Sequence, residues 1–306
     1  MEDIDKIPFY KERTIGERMT AAIDFLRGNW PVMFRTAIYM LLPLSIVQSV
    51  AMNSFFGDYM GFTPNFDSYE MNSETEFIIR IVSSYGILIL CFLLGSILLQ
   101  SLAFTMLQEY NEREDGLENV TFGMIWPRMW HNTKRVMKST LVMVGATIVL
   151  IALSLINPLA LILLIPGLVA LSIPMLMFPC IYSFENINMK KAASKALRLG
   201  FGTWAGLFVI NMVFGFVMNI VSQALALPWG ICAALVAIFG ETEDAPQWAE
   251  ITVHVLAFLF GVIMMFVTYL TSTLQPLSTA YHYAHATERK DSVTIDSDIE
   301  NFENLE

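Results

Sequence analysis

The chain has 306 residues, of which 55% are apolar and 15% charged, with a mean hydropathy of +0.55. Soluble domains carry about 25% charged residues, and a single core stops growing at roughly 250–300 residues, so the apolar excess must lie in long uncharged runs of a membrane protein. The net charge of −10 excludes a nucleic-acid binder, and the composition excludes a disordered chain or a coiled coil.

Residues 1–30 mix charges of both signs and lack an early apolar stretch with a cleavage site. They read as a cytoplasmic N-terminus rather than a signal peptide. Within them Ile15, Met19, Ala22, Phe25, Leu26 and Trp30 recur near helical spacing, which predicts an amphipathic helix. A spanning helix needs about 20 mostly apolar residues. Six such segments follow, at about 32–53, 81–105, 139–157, 159–182, 203–225 and 251–275, within a membrane domain of residues 31–287. Asn157-Pro158 breaks the third from the fourth, as a tight hairpin requires. The run 229–239 after Pro228 would rise only ~17 Å against roughly 30 Å of hydrocarbon, so it reads as a re-entrant or interfacial helix. Residues 288–306 read as an acidic, disordered cytoplasmic tail.

Charge sorts cleanly across these segments. Of the 18 Lys and Arg residues, all but Arg80 fall before or at the entry of the first span (Arg35), between spans two and three, between four and five, or after the sixth. The opposite loops carry Asp58, Asp67, Glu70, Glu74, Glu76, Glu241, Glu243, Asp244 and Glu250. The positive-inside rule therefore predicts six spans with both termini cytoplasmic. Trp30, Trp126, Trp130 and Trp204 would flank the cytoplasmic ends, and Trp229 and Trp248 the outer ones.

A threefold pattern runs through the chain. Besides residues 14–30, apolar periodicity precedes the third span at Phe122, Ile125, Trp126, Met129 and Trp130, with Pro127 at an awkward place inside it. It precedes the fifth span at Met189, Ala192, Ala193, Ala196 and Leu197, opposite a basic face of Lys191, Lys195 and Arg198. The predicted fold is all-α and integral to the membrane: six transmembrane helices as three hairpins, each preceded by a cytoplasmic interfacial amphipathic helix.

Glu185-Asn-Ile-Asn-Met-Lys-Lys-Ala-Ala-Ser-Lys-Ala-Leu-Arg leading into Trp204 resembles the cytoplasmic linker of the bacterial glycerophosphodiester phosphodiesterase membrane-domain-like family. The stretch from Tyr110 to Trp126 and the closing Glu288-Arg289-Lys290-Asp291 are similar to segments of polytopic Bacteroidetes membrane proteins. The resemblance covers most of residues 10–291, although Gly123 and Met124 stand where the family often has acidic residues. It implies a multi-pass protein of the bacterial cytoplasmic (inner) membrane, without the catalytic domain that names the family, and it transfers no catalytic residue.

No ionisable residue lies at mid-depth in the six predicted spans, which argues against a proton-coupled pump. Neutral polar groups do occur: Ser96 and Gln100 on the second, Asn211, Asn219 and Gln223 on the fifth, Thr271 and Gln275 toward the sixth. Interhelical hydrogen bonding explains them most simply, and a polar substrate path is the alternative. Pro166, Pro174 and Pro179 interrupt the fourth span. Cys91, Cys180 and Cys232 all lie in apolar runs and read as small buried hydrophobes. His282, His285 and Glu288 could face one another, but on a charged, tyrosine-rich segment they read as solvated residues, so neither a metal nor a cofactor is expected. Nucleophile-elbow, zincin and phosphate-loop motifs are absent.

Seven cations, Lys134, Arg135, Lys138, Lys190, Lys191, Lys195 and Arg198, remain as candidate lipid-headgroup ligands at the cytoplasmic interface. The sequence thus predicts a non-enzymatic scaffold or lipid-associating factor. The alternative is a carrier for a neutral or lipid-like solute using the polar faces of spans two, five and six. The expected partners are the bilayer with its anionic lipids and a further copy of the chain or another membrane protein.

Overall fold

The computed structural model describes residues 6–60, 74–156, 158–241 and 246–293. Every regular element among them is helical: α1 (Ile15–Gly28), α2 (Trp30–Met60), α3 (Glu74–Glu112), α4 (Phe122–Ile156), α5 (Pro158–Met175), α6 (Phe178–Phe184), α7 (Met189–Gly202), α8 (Trp204–Glu241), α9 (Gln247–Ser272) and α10 (Leu274–Asp291). Six stretches are long and apolar enough to cross a membrane: Trp30–Phe56, Tyr85–Glu112, Phe122–Leu153, Pro166–Phe184, Trp204–Val236 and Gln247–Asp291. The chain is an all-helical multi-pass membrane protein.

Proline decides where the helices depart from expectation. Pro127 does not break α4; it is the sixth residue of the helix and forfeits the single bond to the Gly123 carbonyl. Residues 122–130 are therefore the start of α4 and not a separate interfacial element. Pro228 likewise sits inside an unbroken α8, so residues 229–239 extend the fifth spanning helix instead of forming a re-entrant one. Unwinding there would strip several backbone groups of partners in apolar surroundings, whereas continuing sacrifices one. Two closely spaced prolines have the opposite effect. Between Pro174 and Pro179 the fourth segment turns tightly, with Leu176 N–H donating to the Ile173 carbonyl (3.1 Å) and Met177 N–H to that of Pro174 (3.2 Å), and restarts as α6. Pro276, which cannot bond the Ser272 carbonyl, marks the change from α9 to α10. Glu288–Asp291, expected in a disordered tail, are the last turn of α10. Residues 294–306 of that tail, and positions 61–73 and 242–245, which hold much of the acidic charge expected opposite the basic loops, lie outside the described residues.

The chain divides into two compact units, residues 1–34, 100–215 and 273–306, and residues 35–99 and 216–272. The first unit is organised around α10. Every residue from Pro276 to Thr287 is buried, although the segment is rich in Ser, Thr, Tyr and His. Helices α1, α6 and α7 pack on α10, and α4 and α5 complete the layer. An aromatic cluster fills the gaps: Phe9 stacks on Phe184 (5.2 Å) and meets Tyr281 edge-on (5.7 Å), while Phe184 also contacts Phe104 and Tyr283. Thr14 and Glu17 close a capping box on α1, the Thr14 N–H donating to the Glu17 carboxylate at 2.7 Å. Those hydrogen bonds hold the Glu17 carboxyl below its ordinary pKa. Upstream, Lys6 Nζ donates to the Asn111 and Arg113 carbonyls at 2.8 and 2.9 Å, fastening the N-terminal segment to the end of α3.

In the second unit, Met52, Trp229 and Met264 form one apolar cluster and Cys232, Val253 and Ala257 another. Trp229, expected at the outer headgroup level, is buried here, its Nε1 donating to Asn53 Oδ1 at 3.2 Å and its ring against Phe56. Tyr269 donates its hydroxyl to Gln48 Oε1 (2.8 Å), and its ring occupies the space a side chain at Gly95 would fill. Ser49 donates to the Phe258 carbonyl (2.9 Å) and packs where Gly261 has no Cβ. The three cysteines are free and buried.

Candidate functional site

The seven candidate headgroup cations fall into two groups. Arg135 is committed internally. Its guanidinium donates to the carbonyls of Tyr182 (2.5 Å), Glu185 (3.0 Å) and Ile187 (3.1 Å) and to Asn186 Oδ1 (2.7 Å), and lies over the Tyr182 ring at 4.1 Å. It thereby collects the orphan carbonyls at the C-terminal end of α6, where a cation also opposes the helix dipole. Lys195 pairs with Glu185 (2.6 Å) and approaches Asp291 (3.5 Å), and Arg198 reaches both Asp291 oxygens at 3.0 and 2.9 Å. These three bind the first unit's own backbone and acids, although Arg198 remains exposed. The sequence could not expose this, because residues 182–187 are remote from Arg135, and Asp291 from α7, until the helices pack.

Lys134, Lys138, Lys190 and Lys191 are exposed. The first two continue an aromatic ladder on the outer face of α4. Phe122 meets Trp126 (5.3 Å), Trp126 stacks on Trp130 (6.1 Å), and Lys134 Nζ sits 5.2 Å from the Trp130 ring centre. Each four-residue step drifts by about 40°, so the exposed row Trp126, Trp130, Lys134 and Lys138 winds over about 120° of the helix surface, all of it away from the buried side. Ile125, Met129, Asn132, Val136 and Ser139 form the buried side. There Asn132 donates to Thr105 Oγ1 (2.9 Å) and Gln108 Oε1 (2.8 Å), which fixes the rotation of α4 and so the outward aim of both indoles.

The polar intramembrane residues do not form one array. In the first unit Gln275 donates to Asn211 Oδ1 at 3.1 Å, and Gln100 lines a cleft of about 350 Å³ with Thr140, Thr147, Met143 and Leu176. In the second unit Ser96 and Thr271 bond carbonyls of their own helices, at Leu93 and Val267. Asn219 and Gln223 are exposed.

His282 and His285 are buried in the first unit, contrary to the solvated surface expected from the charged text around them. Arg18 Nη1 lies 2.6 Å from His282 Nδ1, and the Arg13 backbone N–H donates to His285 Nδ1 at 3.1 Å. A guanidinium can only donate, so His282 Nδ1 must be the acceptor and its proton must sit on Nε2. That proton points to Thr203 Oγ1 (2.9 Å), whose own hydroxyl is donated to the Leu199 carbonyl (2.9 Å). Both imidazoles are therefore neutral. Arg18 itself is buried and also bonds the Thr14 carbonyl (3.1 Å). Burial first, and Arg289 second, lower its affinity for its proton. Arg13 and Arg18 were missed by the sequence reading, yet a signal existed: Arg18 shares the i, i+3, i+4, i+7 face of α1 with Ala21, Ala22 and Phe25.

The chain matches no known family, curated protein or solved structure.

Proposed function

We propose that the protein is a non-enzymatic factor of the bacterial inner membrane that associates with anionic lipid headgroups on the cytoplasmic side, where both of its termini lie. The α4 ladder carries this reading: two exposed, stacked indoles followed by Lys134 and Lys138 on the same exposed side. Indoles settle at headgroup depth, and ammonium groups beside them meet lipid phosphates. Exposed Lys190 and Lys191 at the start of α7 add to the same charge. Three hairpins, α2–α3, α4–α5 and α8–α9, with the short helices α1 and α7 ahead of the first and the third, would carry these cations on the cytoplasmic side. The resemblance to glycerophosphodiester phosphodiesterase membrane domains accords with such a lipid-facing role.

Each juxtamembrane lysine contributes roughly 1 kcal/mol toward an anionic surface. Replacing Lys134, Lys138, Lys190 and Lys191 together by Gln should reduce preferential retention of phosphatidylglycerol over phosphatidylethanolamine on the purified protein. The expected loss is up to about a thousandfold at low salt, read by native mass spectrometry during delipidation. Equal retention by the quadruple variant would refute the headgroup role. A second reading, carriage of a lipid-like solute, draws on the cleft beside Gln100, an amide among largely apolar walls.

A further inference from the structure

Helix α8 has two opposite faces within the second unit. Trp229 and Cys232 are buried, and Leu225 and Val236 pack with them into that unit's apolar clusters. At 100° per residue the opposite side carries Phe216, Asn219, Ile220, Gln223, Leu227 and Ile231, and all six are exposed. Four are ordinary lipid-facing side chains. The two amides are not. Asn219 lies near the middle of the apolar stretch Trp204–Val236, and Gln223 is one turn further on. Neither amide has a hydrogen-bond partner among the described residues, not even a carbonyl of its own helix of the kind that Asn211 uses at Leu207.

Hydrocarbon supplies no donor or acceptor, so an amide aimed into it forfeits its hydrogen bonds. We propose that this face is covered by the same face of a second copy of the chain, Asn219 and Gln223 bonding their counterparts across a two-fold axis normal to the membrane. Two observations select a second copy over another occupant. A side-chain amide is both donor and acceptor, so the residue complements itself across a two-fold axis. All copies also insert with one orientation, because the positive-inside sorting leaves a single topology, and this sets Asn219 of each copy at the same depth as that of its partner. The spacing fits as well. Phe216 and Gln223 are seven residues apart, as are Ile220 and Leu227, and Asn219 falls between them, so the seam has the heptad form of parallel left-handed packing with polar positions that set register. This inference is independent of the headgroup reading, which concerns lysines on α4 and α7.

The experiment uses the full chain in liposomes at varied protein-to-lipid ratio, with self-association read by single-molecule photobleaching. The wild type should dimerise reversibly, and Asn219→Leu with Gln223→Leu should weaken the dimer about tenfold or more. Leucine is compatible with an exposed position on an apolar helix, and unchanged thermal unfolding would show that the fold is intact. Single cysteines placed at Phe216, Asn219 and Gln223 should cross-link on mild oxidation, whereas cysteine at Val255, exposed on α9, should not. A wild type that stays monomeric at every density, a leucine variant that dimerises as well as the wild type, or cross-linking at Val255 in preference to Gln223 would each overturn the proposal.

Discussion

Mild acid should loosen the first unit through two histidines. His282 and His285 each accept a hydrogen bond at Nδ1, from the Arg18 guanidinium and the Arg13 backbone N–H, and neither contact survives a proton on that nitrogen. Both lie on α10, beyond the apolar stretch of α9. An unfolded histidine binds its proton near pH 6.5, so below that value the unfolded chain holds more protons than the native one and stability falls as pH falls. One pH unit below the unfolded value, at about pH 5.5, each histidine costs roughly 1.4 kcal/mol, or close to 3 kcal/mol for the pair. At about 2–4 °C per kcal/mol, the unfolding midpoint should drop by on the order of 5–10 °C between pH 7.5 and 5.5. The carboxyls of Glu17 and Asp115 do not blur this window. Hydrogen bonds to Thr14 and to Arg113 hold them below their ordinary values, so their contributions are lost only in stronger acid. Differential scanning fluorimetry in detergent would follow the midpoint. The control is His282→Asn with His285→Asn, whose Oδ1 replaces the accepting nitrogen and does not titrate. If the double variant loses as much between the two pH values as the wild type, or the wild type loses nothing, the assignment of neutral, accepting histidines is wrong.

Two further outcomes follow from packing. Arg135→Lys keeps the charge but cannot span four acceptors, so it should cost about 1–3 kcal/mol of stability in denaturant or thermal unfolding, with Arg135→Ala at least as severe. Gly95→Leu would overlap the Tyr269 ring and should destabilise by about 1–3 kcal/mol or prevent folding, while Gly145→Leu, whose Cβ position is open, should leave the unfolding midpoint nearly unchanged.

The membrane class and the six spanning segments were legible because hydrocarbon imposes length and apolarity on the text itself, and six stretches among the described residues meet both demands. Helix ends were harder to read, since a proline's effect depends on its surroundings. Pro127 and Pro228 are absorbed within helices, whereas Pro174 and Pro179 together stop one. The roles of the cations were divided by packing partners far away in the chain. Lys195 and Arg198 read like Lys190 and Lys191, yet only the former pair faces Glu185 and Asp291. The deepest misreading concerned α10. Its Ser, Thr, Tyr and His composition signals a wet surface, but buried polar groups are tolerated where partners are prepared for them, as Arg18 and Thr203 are for His282.

The buried position of α10 sets an order of assembly. During synthesis α1 and residues 6–13 are made first, yet α10, the surface they rest on, is translated only after α2 to α9. Until then Phe9 lacks Tyr281, and Arg13 and Arg18 lack the histidines they bond. A nascent chain halted at residue 273 would hold every span needed to insert and still lack the piece that lets its earliest-made helix dock.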